Sequence, residues 1–277
     1  MQTGFLKGKN ALVTGGASGM GKAMAFNFAR YGANVAICSL LSKNDSIDIK
    51  ELANIPAVEE MDNTKKELES IGVKVIAGNV DVTNNDQLVE FFNIVKKEFG
   101  KIDILANAAG VTAEHVLEDH PEELWLRVMD VNINGVFRST KLAIKDMKKN
   151  GWGRIINIAS TAAHVGAETS AAYCASKSAV VGFTRAVALE GAPYKVTCNS
   201  ISPTWVESKF GVKWIGDIAK KQLNKDPEEY LQELREENPQ KRLIQPEEIG
   251  AVALFLCSNE AKGINGEDIR VTGGAIW

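Results

Sequence analysis

The chain has 277 residues, 45% hydrophobic and 24% charged, with a formal net charge of −3. That is material for one large α/β domain or two small ones, with ample apolar side chains for a core. The mild acidity and the lack of a basic block argue against nucleic acid or an anionic membrane as partner.

No run approaches the ~18 apolar residues of a membrane span, and the first residues carry no signal-peptide core. Cys38, Cys174, Cys198 and Cys257 are scattered among small or apolar neighbours, without metal-ligand spacing. They read as reduced, mostly buried thiols of a cytoplasmic protein. His115, His120 and His164 are too isolated to argue for a metal.

Asn10–Thr14 is a short apolar run, read as a buried strand. It leads into Gly15-Gly-Ala-Ser-Gly19-Met-Gly21, and an amphipathic helix follows from about Lys22 to Tyr31. Strand, glycine-rich turn and helix make a phosphate site, because glycines admit close backbone approach and a helix N-terminus points free N–H groups at an anion. The spacing is Gly-x-x-x-Gly-x-Gly, not the commoner Gly-x-Gly-x-x-Gly. The second strand is Asn34–Cys38. An acid at its end would bind a ribose 2′-hydroxyl and repel a 2′-phosphate, yet Ser39 and Leu40 stand there. Ser39 and Lys43 are both candidates to meet a phosphate, which tilts the expectation slightly towards NADP(H) over NAD(H). A polar insertion from 41 to about 55 follows, then a helix from about Pro56 to Ile71.

Val73–Ala77 is the third strand, and Asp81 follows at its far end as a candidate adenine partner or a helix-start charge. A helix capped at Thr83 or Asn84 runs to Phe99. Ile102–Asn107 is strand four. The helix from about Pro121 to Lys149 contains Asn132, Asn134 and Gly135, locally unfavourable inside a helix and so suggestive of a role or a kink. Arg154–Ala159 is strand five, ending at Ser160. From Ala172 a long helix of small and apolar residues places Tyr173 and Lys177 one turn apart on the same face. A phenol has a pKa of about 10, and an ammonium beside it favours the phenolate. Such a pair suits proton exchange with an alcohol or carbonyl. An isolated Tyr-x-x-x-Lys is common by chance, so its weight comes from its surroundings. Strand six is Lys195–Ile201, and Asp268–Thr272 is the last, after a helix from Pro246 to Cys257.

This alternation predicts an α/β chain with a parallel, doubly wound sheet in a single domain. From about 205 to 240 the alternation breaks, and Trp205, Phe210, Trp214 and Tyr230 lie among charges. That stretch reads as a helical lid over the carboxyl ends of the strands, where ligands bind in such folds. Gly15, Asn107, Ser160 and Pro203 all fall at that rim.

Thr14-Gly15-x-x-x-Gly19-x-Gly21, Asp81, Asn107-Ala-Ala-Gly110, Asn132, Ser160, Tyr173-x-x-x-Lys177 and the Pro203 segment together resemble the short-chain dehydrogenase/reductase family over about residues 5 to 275. The resemblance implies a Rossmann domain spanning 1–277 with about seven strands. It implies a catalytic tetrad: Tyr173 as acid/base, Lys177 lowering its pKa and holding the nicotinamide ribose, Ser160 on the substrate oxygen, Asn132 holding a relay water. It implies NAD(H) or NADP(H) against Gly15, Ser18, Gly19, Met20 and Gly21 at the phosphates. Ser39, Asp81 and Val82 would serve the adenosine end. Asn107, Ala108, Gly110, Pro203, Val206 and Ser208 would run alongside the nicotinamide half, with Tyr173 and Lys177. Departures are Ala108 for a second asparagine, Thr204 for a glycine and Ser208 for a threonine. Substrate contacts are expected from Ser160, His164, Thr204, Trp205 and Trp214, with an apolar or ring-shaped substrate; Lys209 and Lys213 are candidates for an anionic one. The expected reaction interconverts a secondary alcohol and a ketone. The alternatives are a nucleotide-sugar epimerase or dehydratase, disfavoured by chain length and by Ser18, and a non-catalytic dinucleotide-binding scaffold. A homotetramer or dimer through the helices of Asn132 and Tyr173 is expected, with no metal.

Overall fold

A computed structural model describes residues 4–42 and 55–275. Seven parallel strands form one sheet: β1 Asn10–Thr14, β2 Asn34–Ser39, β3 Val75–Asn79, β4 Ile104–Asn107, β5 Gly153–Ile158, β6 Val196–Pro203 and β7 Asp268–Val271, in the order β3-β2-β1-β4-β5-β6-β7. The chain reverses its direction of growth between β1 and β4, so loops leaving these neighbours diverge and open a crevice. Gly15 and Ala108–Gly110 line it.

Helices cover both faces. Helices α1 (Gly19–Arg30), α2 (Val58–Glu69) and α9 (Pro246–Leu256) pack Met24, Phe28, Leu68 and Ile249 on Val13, Ile37 and Ile156. Helices α3 (Asn85–Phe99), α5 (Gly135–Asn150) and α6 (Ala171–Gly191) pack Phe92, Met147 and Val187 on Leu12, Leu105 and Ile155. Successive strand residues feed opposite cores, which is why these strands read as unbroken apolar runs rather than alternating ones. Helix α4 (Glu122–Met129) joins α5 through a π-helical turn at Asp130–Asn134.

Several sequence boundaries move by one to three residues, two of them beside the cleft. Helix α1 begins at Gly19, so the second and third glycines sit in its first turn. Strand β3 begins two residues later than expected, because β2 pairs Val35 to Ser39 with Val75 to Asn79. The 205–240 stretch is helical outside the sheet: α7 (Lys209–Ile218), a π turn, and α8 (Pro227–Glu237). Most of the 41–55 insertion, with Lys43, lies outside the described residues; Ser42 pairs with Ala57.

Candidate active site

The loop after β1 has no room for side chains. Gly15 takes φ +68°, and a Cβ there would stand 2.7 Å from the Ala109 nitrogen. A Cβ at Gly21 would lie 2.1 Å from the Gly15 carbonyl oxygen. Ser18 begins α1 without a side-chain cap, and the first turn carries no acid. Its N–H groups therefore face the cleft with no carboxylate to compete, which fits the diphosphate of a dinucleotide. The loop is pinned from behind: the Ala17 N–H donates to Ser39 Oγ at 3.1 Å, and Thr64 Oγ1 donates to the Ala17 carbonyl at 2.9 Å. Thr64 has no motif around it, and sequence reasoning missed it.

Asp81 and Val82 line the same cleft. Asp81 accepts from Thr83 on one oxygen and from Arg127 at 2.9 Å on the other. These donors outweigh the desolvation of the carboxyl and hold it below its ordinary range. Arg127 also lines the cleft and was not foreseen, because it comes from α4, 46 residues away in sequence.

Asn107 departs from expectation. Its side chain is buried at 2% exposure and turned into the core, where it donates to Asn157 at 2.8 Å and accepts from Ser139 at 2.7 Å. The neighbouring Ala108 and Gly110 line the cleft instead.

Asn132 sits in the π-helical turn. Its Oδ1 accepts from the Val111 N–H at 2.9 Å; its Nδ2 donates to the Val111 carbonyl at 2.9 Å and to Ser176 Oγ at 3.0 Å. The turn swings this amide onto the loop after β4, so the locally unfavourable residue is held by tertiary bonds. Both amide protons are thereby committed, one to Val111 and one to Ser176.

Ser160, Tyr173 and Lys177 converge. Ser160 follows β5 and accepts from the Ala162 N–H at 3.2 Å, and its hydroxyl acts on the Tyr173 phenol. Lys177 Nζ donates to the Ile158 carbonyl at 2.9 Å and lies 5.6 Å from the centre of the Tyr173 ring. In the structure the Tyr173 phenol nevertheless stands above its ordinary range: desolvation pushes it up to about 12, the Ser160 hydroxyl opposes this, and the Glu114 carboxylate and Cys174 add to it. Burial likewise brings the Lys177 ammonium down to about 8.

Tyr173, Met20, Ser208 and Phe210 form the seam between the glycine-rich cleft and a second cavity of about 700 Å3. Ser160, Thr204, Trp205 and Trp214 line that cavity as expected. Pro203 and Val206, expected along the cofactor, line this cavity rather than the cleft. Ser208 caps α7 by accepting from the Gly211 N–H, beside Gly19 of the phosphate loop. His164 does not line the cavity. It pairs with Asp268 at 2.7 Å, and Asp268 also accepts from Ser200 and Ser202, so the ring is drawn to the sheet edge. Lys209 pairs with Glu60 of α2 at 2.9 Å.

Residues 15–275 match the family model described as enoyl-(acyl carrier protein) reductase. The chain is 37% identical over 267 residues to an NAD-dependent glycerol dehydrogenase of Listeria innocua, covering 96% of this chain and 93% of that protein. The chain belongs to the short-chain dehydrogenase/reductase family. A second short-chain relative, a D-β-hydroxybutyrate dehydrogenase of Cupriavidus necator, is 32% identical over 98% of this chain and 99% of its own. The solved structure of a variant actinorhodin polyketide ketoreductase with NADPH superposes with a TM-score of 0.87, at 31% identity and 96% coverage of both chains. Like its relatives in this short-chain family, the chain is an oxidoreductase of CH–OH groups.

Proposed function

We propose that this enzyme interconverts a secondary alcohol and its ketone with NAD(H) or NADP(H), Tyr173 exchanging the proton. The observation that carries this reading is the position of Tyr173. It is at the seam of the dinucleotide-shaped cleft and the aromatic cavity, shares that cavity with Ser160 and lies one helical turn from Lys177. A bound nicotinamide supplies or accepts the hydride. The chain's own residues handle the oxygen. Ser160 donates to it, and Tyr173 takes its proton during oxidation or returns one during reduction. Lys177, on the cleft side, holds the ribose hydroxyls and bears the positive charge that favours a phenolate once its own proton is in place. Any relay water at Asn132 is held through backbone, since the side chain is bonded to Val111 and Ser176.

The absence of an acid at Ser39 and Leu40 supports a lean towards NADP(H), to be tested by calorimetric titration of both cofactors. Exposed Phe137 on α5 and Leu189 on α6 support a dimer or tetramer built on these helices. No helix among the described residues is long and apolar enough to cross a membrane, and a cytoplasmic, small-molecule enzyme is the reading we favour. The deciding experiment is Tyr173→Phe. Turnover falls by roughly 10²–10⁴, with cofactor affinity retained; an unchanged kcat removes Tyr173 from the chemistry.

A further inference from the structure

The cavity beyond Tyr173 identifies a substrate class. Its volume, about 700 Å3, falls among sites that enclose drug-sized ligands rather than molecules of a few heavy atoms. Its wall is aromatic. Trp214 stands with its ring centroid 4.9 Å from Trp205 and 5.8 Å from Phe210.

The charged residues that line it have one sign. Glu168 and Glu237 line its mouth, and among the described residues no lysine, arginine or histidine lines it. Glu114, in the loop after β4, is partly buried beside it. This carboxylate accepts from the Thr112 hydroxyl, the Trp214 indole N–H faces it short of full hydrogen-bond geometry, and its charge acts on Tyr173. The loop is stitched to the cavity wall by the His115 N–H donating to the Thr169 carbonyl at 2.9 Å. The cations nearby do not line it. Lys209 pairs with Glu60 and His164 with Asp268, and Lys221 acts on Glu114, as does Asp217 with the opposite sign. A substrate carboxylate here would lose its water without gaining a cation. At an effective dielectric near 20, like charges about 4–8 Å apart weaken binding by roughly thirtyfold to a thousandfold.

We infer that the cavity takes a bulky, uncharged, ring-bearing secondary alcohol or ketone, and that Glu114 sets the bias against anionic substrates. This rests on the Tyr173 reading and deepens it.

The test compares kcat/KM of the full-length enzyme, saturated with its nicotinamide cofactor, for decalol, glycerol and β-hydroxybutyrate. Decalol is expected to exceed β-hydroxybutyrate by about a hundredfold or more, the size of the repulsion above. A hydroxy acid or glycerol that outruns decalol overturns the inference while leaving Tyr173 in place. Loss of the Tyr173 reading shows separately, as full turnover in Tyr173→Phe. Binding is read without turnover: decalone quenches tryptophan fluorescence saturably, less so in Trp214→Phe, and acetoacetate does not. Saturable quenching by acetoacetate at lower concentration than decalone overturns the inference. Glu114→Gln is expected to shift the β-hydroxybutyrate-to-decalol ratio of kcat/KM upward about tenfold; a ratio at or below wild type removes Glu114 from selectivity.

Discussion

The indole of Trp214 meets the ring of Tyr173 edge to face, with centroids 5.1 Å apart and planes at 67°. A lid residue on α7 thus touches the proposed proton carrier on α6, and the lid that shapes the cavity also shields the phenol. The same shielding raises the phenol's pKa.

Trp214→Ala removes this contact and those with Trp205 and Phe210. At about 0.5–1.5 kcal/mol per aromatic pair, kcat/KM for a ring substrate falls roughly tenfold or more, mainly through KM. Steady-state kinetics decide it. An unchanged KM means that the lid does not contact substrate.

Direction of reaction sets the pH profile. Tyr173 is protonated across the neutral range, its pKa being pushed up to about 12. Reduction needs that proton and stays level with pH, whereas oxidation needs the phenolate and rises with pH. The rise flattens above about 8, where Lys177 gives up its charge. Oxidation that declines steadily from neutral pH upward contradicts the assignment.

Lys177 carries a stability penalty. Its native pKa of about 8 lies below the ordinary 10.5, so in that window the unfolded chain holds a proton that the folded chain does not. Stability therefore drops as pH falls through the window, and the penalty is complete below it. Lys177→Met removes up to about 3 kcal/mol of penalty. It leaves the Ile158 carbonyl without its donor, a loss of about 1 kcal/mol. Thermal unfolding of the cofactor-free variant should show a higher Tm at neutral pH, with the gain shrinking above about pH 8 and lost near 10.5. A lower Tm at neutral pH contradicts the sign.

Asn132→Ala leaves the partly buried Val111 N–H and carbonyl without the partners they have now. Urea denaturation should show a loss of about 2–4 kcal/mol, against about 1 kcal/mol for Ser176→Ala, which removes one of the three bonds. Equal losses would mean that the Val111 bonds contribute nothing.

Two glycine-to-alanine changes should have opposite signs. Gly182 lies inside α6 with nothing within 4 Å of a Cβ, so Gly182→Ala stabilises by about 0.5–1 kcal/mol. Gly21 is also helical, but its Cβ would stand 2.1 Å from the Gly15 carbonyl oxygen. Gly21→Ala should destabilise the protein and weaken NAD(P)H binding, read by nicotinamide fluorescence. Wild-type affinity in Gly21→Ala would separate the close approach from cofactor binding.

The architecture was legible because it rests on local pattern. Strands buried on both faces must be continuous apolar runs, so β1, β2, β4, β5 and β6 announce themselves. The glycines after β1 and the four-residue step from Tyr173 to Lys177 specify backbone shape and helix face by themselves. Where a side chain turns after a strand end is another matter. Asn107 turns into the core because its direction depends on Asn157, Ser139 and Thr140, and His164 turns from the cavity because Asp268 draws it away, 104 residues along the chain. Glu114, Thr64 and Arg127 carry no motif; they matter only through what the fold lays against them. The sequence by itself determined the sheet, the glycine-rich loop and the residues proposed to carry the chemistry, since each depends on near neighbours. Tertiary structure alone decided the burial that sets the Tyr173 and Lys177 pKa values and the one-signed charge lining the cavity, because desolvation and Coulomb energies depend on distances in space rather than on separation along the chain.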